Sequence, residues 1–184
     1  MNLPNLITLS RILLVPLTVW LLISGLYGFA FIAFVAAGIS DGVDGYIARR
    51  YNMRTELGAY LDPAADKALL VSVYVTLALL KAIPAWLAIL VVSRDVLIIG
   101  AFVLSLLMNR PVQVKPLMIS KINTAGQILF VVAVLGATSL RLRYEDALWV
   151  SMFIVAALTA VSGAAYLREW VRFMASSQGS DVSK

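Results

Sequence analysis

Four aspartates, Asp41, Asp44, Asp62 and Asp66, stand in two pairs spaced i, i+3 and i, i+4 within stretches that are otherwise mostly apolar. On a helix each pair shares one face. A short connection between the two helices would make them antiparallel neighbours and bring all four carboxylates to one depth. Four such groups cannot all stay ionised without compensation. One acid alone could pair with Lys67 or Arg94, but four in this spacing call for a divalent cation. An all-oxygen donor set favours Mg²⁺ or Mn²⁺, and four facing acids suit two ions better than one. Two ions would clamp a pyrophosphate and stabilise the attacking and leaving oxygens of an in-line displacement.

The residues around the acids fit that chemistry. Gly45, Ala48 and Gly58 let a ligand approach helix backbones closely, and Arg49 offers a planar fork for phosphate oxygens. Pro63 is expected in the first turn of its helix, where a missing N–H costs little. The chain has no Cys and no His. Disulfides, thiolate nucleophiles and imidazole bases are therefore excluded, and a carboxylate is the available general base.

The elements that position these residues follow from composition. Of 184 residues, 61% are hydrophobic and 14% charged, and the mean hydropathy is +0.92. No charge occurs in the 29 residues between Arg11 and Asp41, the 19 between Lys121 and Arg141, or the 21 between Asp146 and Arg168. Runs of about 20 apolar residues cross a bilayer as helix, so the fold class is an all-α integral membrane protein. Six spans are expected near 12–25, 28–48, 58–80, 85–108, 117–139 and 147–170, preceded by a short interfacial helix from Leu3 to Arg11. The apolar run after Arg11 is too long for a cleaved signal and reads as a retained helix. Turns are expected at Gly25 and Gly28, at Pro84, and from Arg141 to Asp146 on one side. On the other side they fall at 49–56 and 109–116. Residues 1–175 form one domain, and the polar segment 176–184 is expected to be disordered.

Ten Lys and Arg fall on the side that holds the N-terminus and three on the opposite side, with Lys67 and Arg94 inside spans. The positive-inside bias places both termini in the cytoplasm. A net charge of +5 suggests attraction to an anionic leaflet, and no nucleic-acid-binding motif is visible.

Read together, Asp41-x2-Asp44-Gly45-x2-Ala48-Arg49-x8-Gly58-x3-Asp62-x3-Asp66 resembles the signature of the CDP-alcohol phosphatidyltransferase family at every fixed position. The resemblance runs from Asn2-Leu3-Pro4-Asn5 through Leu61-Asp62-Pro63 and Ala65-Asp66-Lys67 to about Gln127. It implies a polar cavity open to the cytoplasmic leaflet, a metal-dependent transfer from a CDP-linked lipid, release of CMP, and a homodimer. Carried over, Asp41, Asp44 and Asp62 would ligate the metals. Asp66 would complete the metal site and act as base on the acceptor hydroxyl. Asp44, Gly45, Ala48, Arg49 and Gly58 would line the CDP site.

Ser93-Arg94-Asp95, Lys115-Pro116 and the stretch from Ile119 to Thr124 with Gln127 resemble the branch of the family that makes anionic glycerolipids, the phosphatidylglycerophosphate synthases and the CMP-forming cardiolipin synthases. The former usually read Gly-Lys-x-Lys-Thr where this chain reads Ser120-Lys121-Ile122-Asn123-Thr124, which is closer to the latter. Glycerol 3-phosphate carries a phosphomonoester and phosphatidylglycerol a less charged phosphodiester, so Asn in place of a second Lys suits phosphatidylglycerol. Arg94, Arg110, Lys115 and Lys121 are the candidate acceptor-binding residues. The expected reaction is phosphatidyl transfer from CDP-diacylglycerol to phosphatidylglycerol, with glycerol 3-phosphate as the alternative acceptor, in a bacterial inner membrane. From another class, the same acids could serve an ion-coupled transporter, which would favour acids at the midplane and polar crossings in more spans.

Overall fold

A computed structural model of the chain describes residues 3–50, 56–108, 117–140 and 145–179, with the side chains of 41–50 and 56–66 among those outside the description. The described residues form six helices: α1 (Leu3–Ile23), α2 (Tyr27–Arg50), α3 (Glu56–Leu79), α4 (Ala85–Leu107), α5 (Met118–Ser139) and α6 (Glu145–Gly179). Three stretches, Ala85–Ser105, Met118–Ser139 and Ala147–Met174, are long and apolar enough to cross a membrane. Shorter apolar stretches lie in α1, α2 and α3.

Polarity is distributed as in a lipid-facing bundle. Trp20, Phe29, Ile32, Ile89, Leu129 and Phe153 are exposed, whereas Thr18, Arg94, Asp95, Asn123, Gln127, Thr159 and Ser162 are buried. In water that arrangement would be costly on both counts. In hydrocarbon the outer face needs no polar group and the inner polar groups must find one another.

Three expectations are corrected. The interfacial segment is not a separate helix, because α1 runs unbroken from Leu3 to Ile23 with Pro16 inside it. No Gly or Pro separates Arg11 from the apolar run, so nothing interrupts propagation there. Pro63 is not in a first turn, since α3 begins at Glu56; it lies within the helix beside Asp62, where it removes one intrahelical hydrogen bond. Helix α6 continues through residues 176–179 of the expected disordered tail, because extending an existing helix costs far less than nucleating one. Residues 180–184 lie outside the described residues.

Two connections close with the same device. The Gly25 N–H donates to the Leu22 carbonyl at 3.0 Å and that of Leu26 to Leu21 at 2.9 Å, while Lys81 donates to Ala78 at 3.0 Å and Ala82 to Leu77 at 2.9 Å. These 5→2 and 6→1 pairs are Schellman caps, which require a left-handed residue at the first position past the cap. Gly25 has φ 73° and Lys81 has φ 58°. Gly28, expected in a turn, is the second residue of α2. A Cβ there would sit 3.0 Å from Ser139 Oγ, so its absence lets α2 start close against the end of α5.

Among the described residues α1 packs on α2 and α3, α5 on α2, α3 and α6, and α4 on α3 and α6. Direct α2–α3 packing, expected from their short connection, is absent among them. The reason is that α1 and α5 fill the space between: Leu21 and Leu22 from α1 and Phe130, Val131, Val134 and Leu135 from α5 join Ala30, Phe34 and Ala37 of α2 and Leu70, Val73, Tyr74 and Leu77 of α3 in one apolar core. Among the described residues, helices α2 and α3 are thus bridged by α1 and α5. That core seals the half of the bundle away from the N-terminus and leaves the polar chemistry to the other half.

Candidate active site

Asp41, Asp44, Gly45, Ala48 and Arg49 lie in the second half of α2, and Gly58, Asp62 and Asp66 in the first half of α3. Helical backbone over both stretches keeps each acid pair on one face, as the spacing predicts. The side chains of these residues lie outside the description, and so do Arg110 and Lys115 entirely. Lys121 is on α5 and exposed, and Arg94 is buried in α4.

The residue next to Asp66 opens the described part of the site. Lys67 Nζ donates to both oxygens of Asp95, at 2.7 and 2.8 Å. Asp95 Oδ1 also accepts from Arg94 Nη1 at 2.7 Å. Arg94 Nη2 donates to Ser120 Oγ at 2.6 Å and to Ser162 Oγ at 2.7 Å, and the guanidinium carbon lies 5.6 Å from the centre of the Tyr166 ring. One chain of charge-assisted bonds therefore ties α3, α4, α5 and α6 together at the level of Asp66. The Asp95 and Arg94 side chains are 6% and 4% exposed and that of Lys67 is 33% exposed, so the chain runs from the interior to a partly exposed cation.

The local Arg94–Asp95 pair is one that the sequence suggests on its own. Lys67, Ser162 and Tyr166 as its partners are not, because they come from helices whose register against α4 only packing sets. Gly163 leaves room for the arginine stem, since a Cβ there would meet Arg94 Cγ at 3.4 Å.

Deeper in the bundle lies a second polar layer. Thr159 Oγ1 donates to Asn123 Oδ1 at 2.9 Å and accepts from Gln127 Nε2 at 3.1 Å, and the Tyr74 hydroxyl donates to the Gln127 carbonyl at 3.2 Å. Asn123, Gln127 and Thr159 are fully buried. Asn123, read as standing where a second lysine would meet the acceptor, is thus neutral, enclosed and tied to α6.

The helices also differ in how far they extend toward the N-terminal side. From the Arg94 level, α4 runs on to Leu107 and α6 to Gly179, whereas α5 starts only two residues before Ser120. Trp170 Nε1 donates to Ser105 Oγ at 2.9 Å and holds the extended parts of α4 and α6 together. A cavity of about 650 Å³ lined by Lys81, Pro84, Phe130, Val134, Trp149 and Met152 lies at the other end of the bundle, away from the acids, and its lining is largely apolar.

The donor set fits divalent cations. It consists of carboxylates alone, in helical pairs, and Lys67, the cation next to them in sequence, is already committed to Asp95. Asp41, Asp44, Asp62 and Asp66 are the residues that would hold such ions.

The sequence pattern of the CDP-alcohol phosphatidyltransferase family matches residues 1–171. Over 183 residues the chain is 34% identical to a human protein named cardiolipin synthase (CMP-forming), covering 90% of this chain and 60% of that protein. It is 35% identical over 180 residues to a Schizosaccharomyces pombe cardiolipin synthase (CMP-forming) / mitochondrial hydrolase fusion protein, with 90% and 30% coverage. A Bacillus subtilis CDP-diacylglycerol–glycerol-3-phosphate 3-phosphatidyltransferase is 33% identical over 190 residues, covering 92% of this chain and 95% of that one. The chain thus spans less than two thirds of the first two relatives and nearly all of the third.

Proposed function

Because the chain belongs to the CDP-alcohol phosphatidyltransferase family, we propose that it is a six-span membrane enzyme that transfers phosphatidyl from CDP-diacylglycerol to phosphatidylglycerol, forming cardiolipin and releasing CMP. The observation that carries this reading is the complete acidic signature on the helical stretches of α2 and α3, in a chain similar over nine tenths of its length to CMP-forming cardiolipin synthases.

Asp41, Asp44, Asp62 and Asp66 would hold two Mg²⁺ or Mn²⁺ ions. Such ions, when bound, would supply the positive charge that the transfer of a phosphoryl centre and the release of CMP require. Arg49 binds phosphate oxygens, and Asp44, Gly45, Ala48 and Gly58 admit the CDP group against the helix backbones. Asp66 takes the proton of the acceptor hydroxyl as its oxygen bonds to the phosphatidyl phosphorus and the bond to CMP breaks.

Lys121, Arg110 and Lys115 supply positive charge for the acceptor's phosphate. Arg94 has its two terminal nitrogens engaged with Asp95, Ser120 and Ser162. The neutral, enclosed Asn123 supports the phosphodiester acceptor over a phosphomonoester, since it adds no second cation beside Lys121. Both termini face the cytoplasm of a bacterial inner membrane, and two copies associate.

A second reading, phosphatidylglycerophosphate synthesis with glycerol 3-phosphate, is favoured by the match to almost the whole Bacillus subtilis relative. The deciding experiment measures Mn²⁺- or Mg²⁺-dependent CMP release from CDP-diacylglycerol with each acceptor and resolves the lipid product. Cardiolipin formed from phosphatidylglycerol supports the first reading. Turnover with glycerol 3-phosphate alone overturns it in favour of the second. No CMP release with either, from folded protein, rejects both.

A further inference from the structure

We infer that Asp95 is a positioning residue that holds the Lys67 ammonium off the carboxylate cluster, leaving those oxygens free for divalent cations. The inference rests on the metal-dependent reading above and goes beyond it to a residue outside the signature.

Lys67 follows Asp66 directly and lies about 100° around α3 from it and about 140° from Asp62, at roughly 100° per residue. A lysine side chain is long and flexible, and the four acids of α2 and α3, brought together as the metal reading requires, would be the strongest attraction such a cation could meet at this depth. An ammonium on a carboxylate occupies the same oxygen lone pairs that a divalent cation needs. In this structure both oxygens of Asp95, on another helix, hold Lys67 instead, at 2.7 and 2.8 Å.

Asp95 is fixed in turn. Arg94 Nη1 shares its Oδ1, and Ser120 and Ser162 pin the other end of the guanidinium from α5 and α6. Three more helices thus fix the position of one lysine. Stability alone is a poor reason for such an arrangement, because a buried ion network can commonly be replaced by apolar side chains with no loss. Control over where a specific charge sits is what apolar packing would not supply.

The test is Mn²⁺ binding to the purified full chain in nanodiscs, read from loss of the free-ion electron paramagnetic resonance signal and independent of turnover. Asp95→Asn releases Lys67 and is expected to weaken Mn²⁺ binding about tenfold, as a unit charge several ångströms from the acids would. Lys67→Met removes a cation that is already held away, so its affinity stays within about twofold of wild type. In the double variant Lys67→Met/Asp95→Asn the competitor is gone, and affinity returns to within about twofold of wild type.

Equal weakening in Asp95→Asn and the double variant would make Asp95 a structural residue only and overturn the inference. Tighter binding in Lys67→Met would mean that Lys67 already occupies the acids, with the same consequence. Should Asp95→Asn fail to fold, Asp95→Ser takes its place in the same comparison, with and without Lys67→Met. Wild-type protein that binds no Mn²⁺ overturns the metal reading and this inference with it, whereas wild-type binding with unchanged affinity in Asp95→Asn overturns the inference alone.

Discussion

Arg94 on α4 and Ser162 on α6 are joined by a 2.7 Å hydrogen bond from Nη2, and the same nitrogen reaches Ser120 on α5 at 2.6 Å. A hydrogen bond to a charged group contributes roughly 1.5–3 kcal/mol. Ser162→Ala is therefore expected to lower stability by about that amount, and Ser120→Ala by less, because Ser120 is only half-buried and water can replace it. Arg94→Lys keeps the charge but cannot reach three partners from one planar fork, so it should destabilise more than either serine variant. Thermal unfolding of the purified protein in one detergent checks the order. Equal midpoints for all three would show that the fork carries no tertiary load.

Removing the acids tests the chemistry. Asp41→Asn, Asp44→Asn and Asp62→Asn should each abolish CMP release, because each would take a ligand from the proposed all-carboxylate metal site. Asp66→Asn should lower turnover far more than it weakens CDP-diacylglycerol binding, since a base acts on the acceptor hydroxyl rather than on the bound nucleotide. Chelation with EDTA should stop CMP release in the wild type, and added Mg²⁺ or Mn²⁺ should restore it. Turnover that persists in Asp66→Asn would take the base role away from that residue.

The Asn123–Thr159–Gln127 layer gives a prediction that holds however the two amides are oriented. If both were turned over, the hydroxyl would donate to Gln127 and accept from Asn123, leaving one unpaired polar atom on each amide. As described, those atoms are Asn123 Nδ2 and Gln127 Oε1. Thr159→Val keeps the shape and removes the hydroxyl that serves both, so about 2–6 kcal/mol of stability should be lost, at roughly 1–3 kcal/mol for each of the two buried amide groups left without a partner. Thr159→Ser keeps the hydroxyl and should cost much less. Midpoints for the two variants that fall together would place the loss in the methyl group instead.

Much of this architecture can be read from the order of residues, and the parts that cannot share a physical cause. Charge-free runs bounded by Arg11, Asp41, Lys121, Arg141, Asp146 and Arg168 lead to helices close to the observed ones, because hydrocarbon admits little else. The helical pairing of the acids is legible for the same reason: spacing alone sets which face of a helix a residue shares. Lys67 with Asp95, 28 positions apart, is not legible, nor is Arg94 with Ser162, 68 apart, since each depends on the register of one helix against another. Ser162 and Tyr166 are ordinary small and amphipathic residues in an apolar run, with no local signal of a partner. The part that α1 and α5 play between α2 and α3 in the described core is not legible either, because a short connection limits how far apart two helix ends can be and says nothing about which other helices pack on both. Pro63 is misread because a proline usually marks a first turn, whereas α3 starts at Glu56 and continues past it.

The two Schellman caps make opposite predictions from one cause. Gly25 holds φ 73° with open space where a Cβ would go, so Gly25→Ala introduces strain without a clash. The left-handed conformation costs an L-residue roughly 1–2 kcal/mol, and the variant should be destabilised by about that much. Lys81 already bears this strain at φ 58°. Its side chain is exposed, and no hydrogen bond from it is needed to form the cap. Lys81→Gly should therefore stabilise the protein, by about 0.5–1 kcal/mol once the greater freedom of glycine in the unfolded chain is set against the relief. Lys81→Asn should fall between, because asparagine tolerates the left-handed region better than lysine. Unfolding midpoints for Gly25→Ala, Lys81→Asn and Lys81→Gly, measured together, should rise in that order across the wild-type value. A Lys81→Gly midpoint below wild type would show that the lysine side chain anchors this end of the bundle and outweighs the backbone strain.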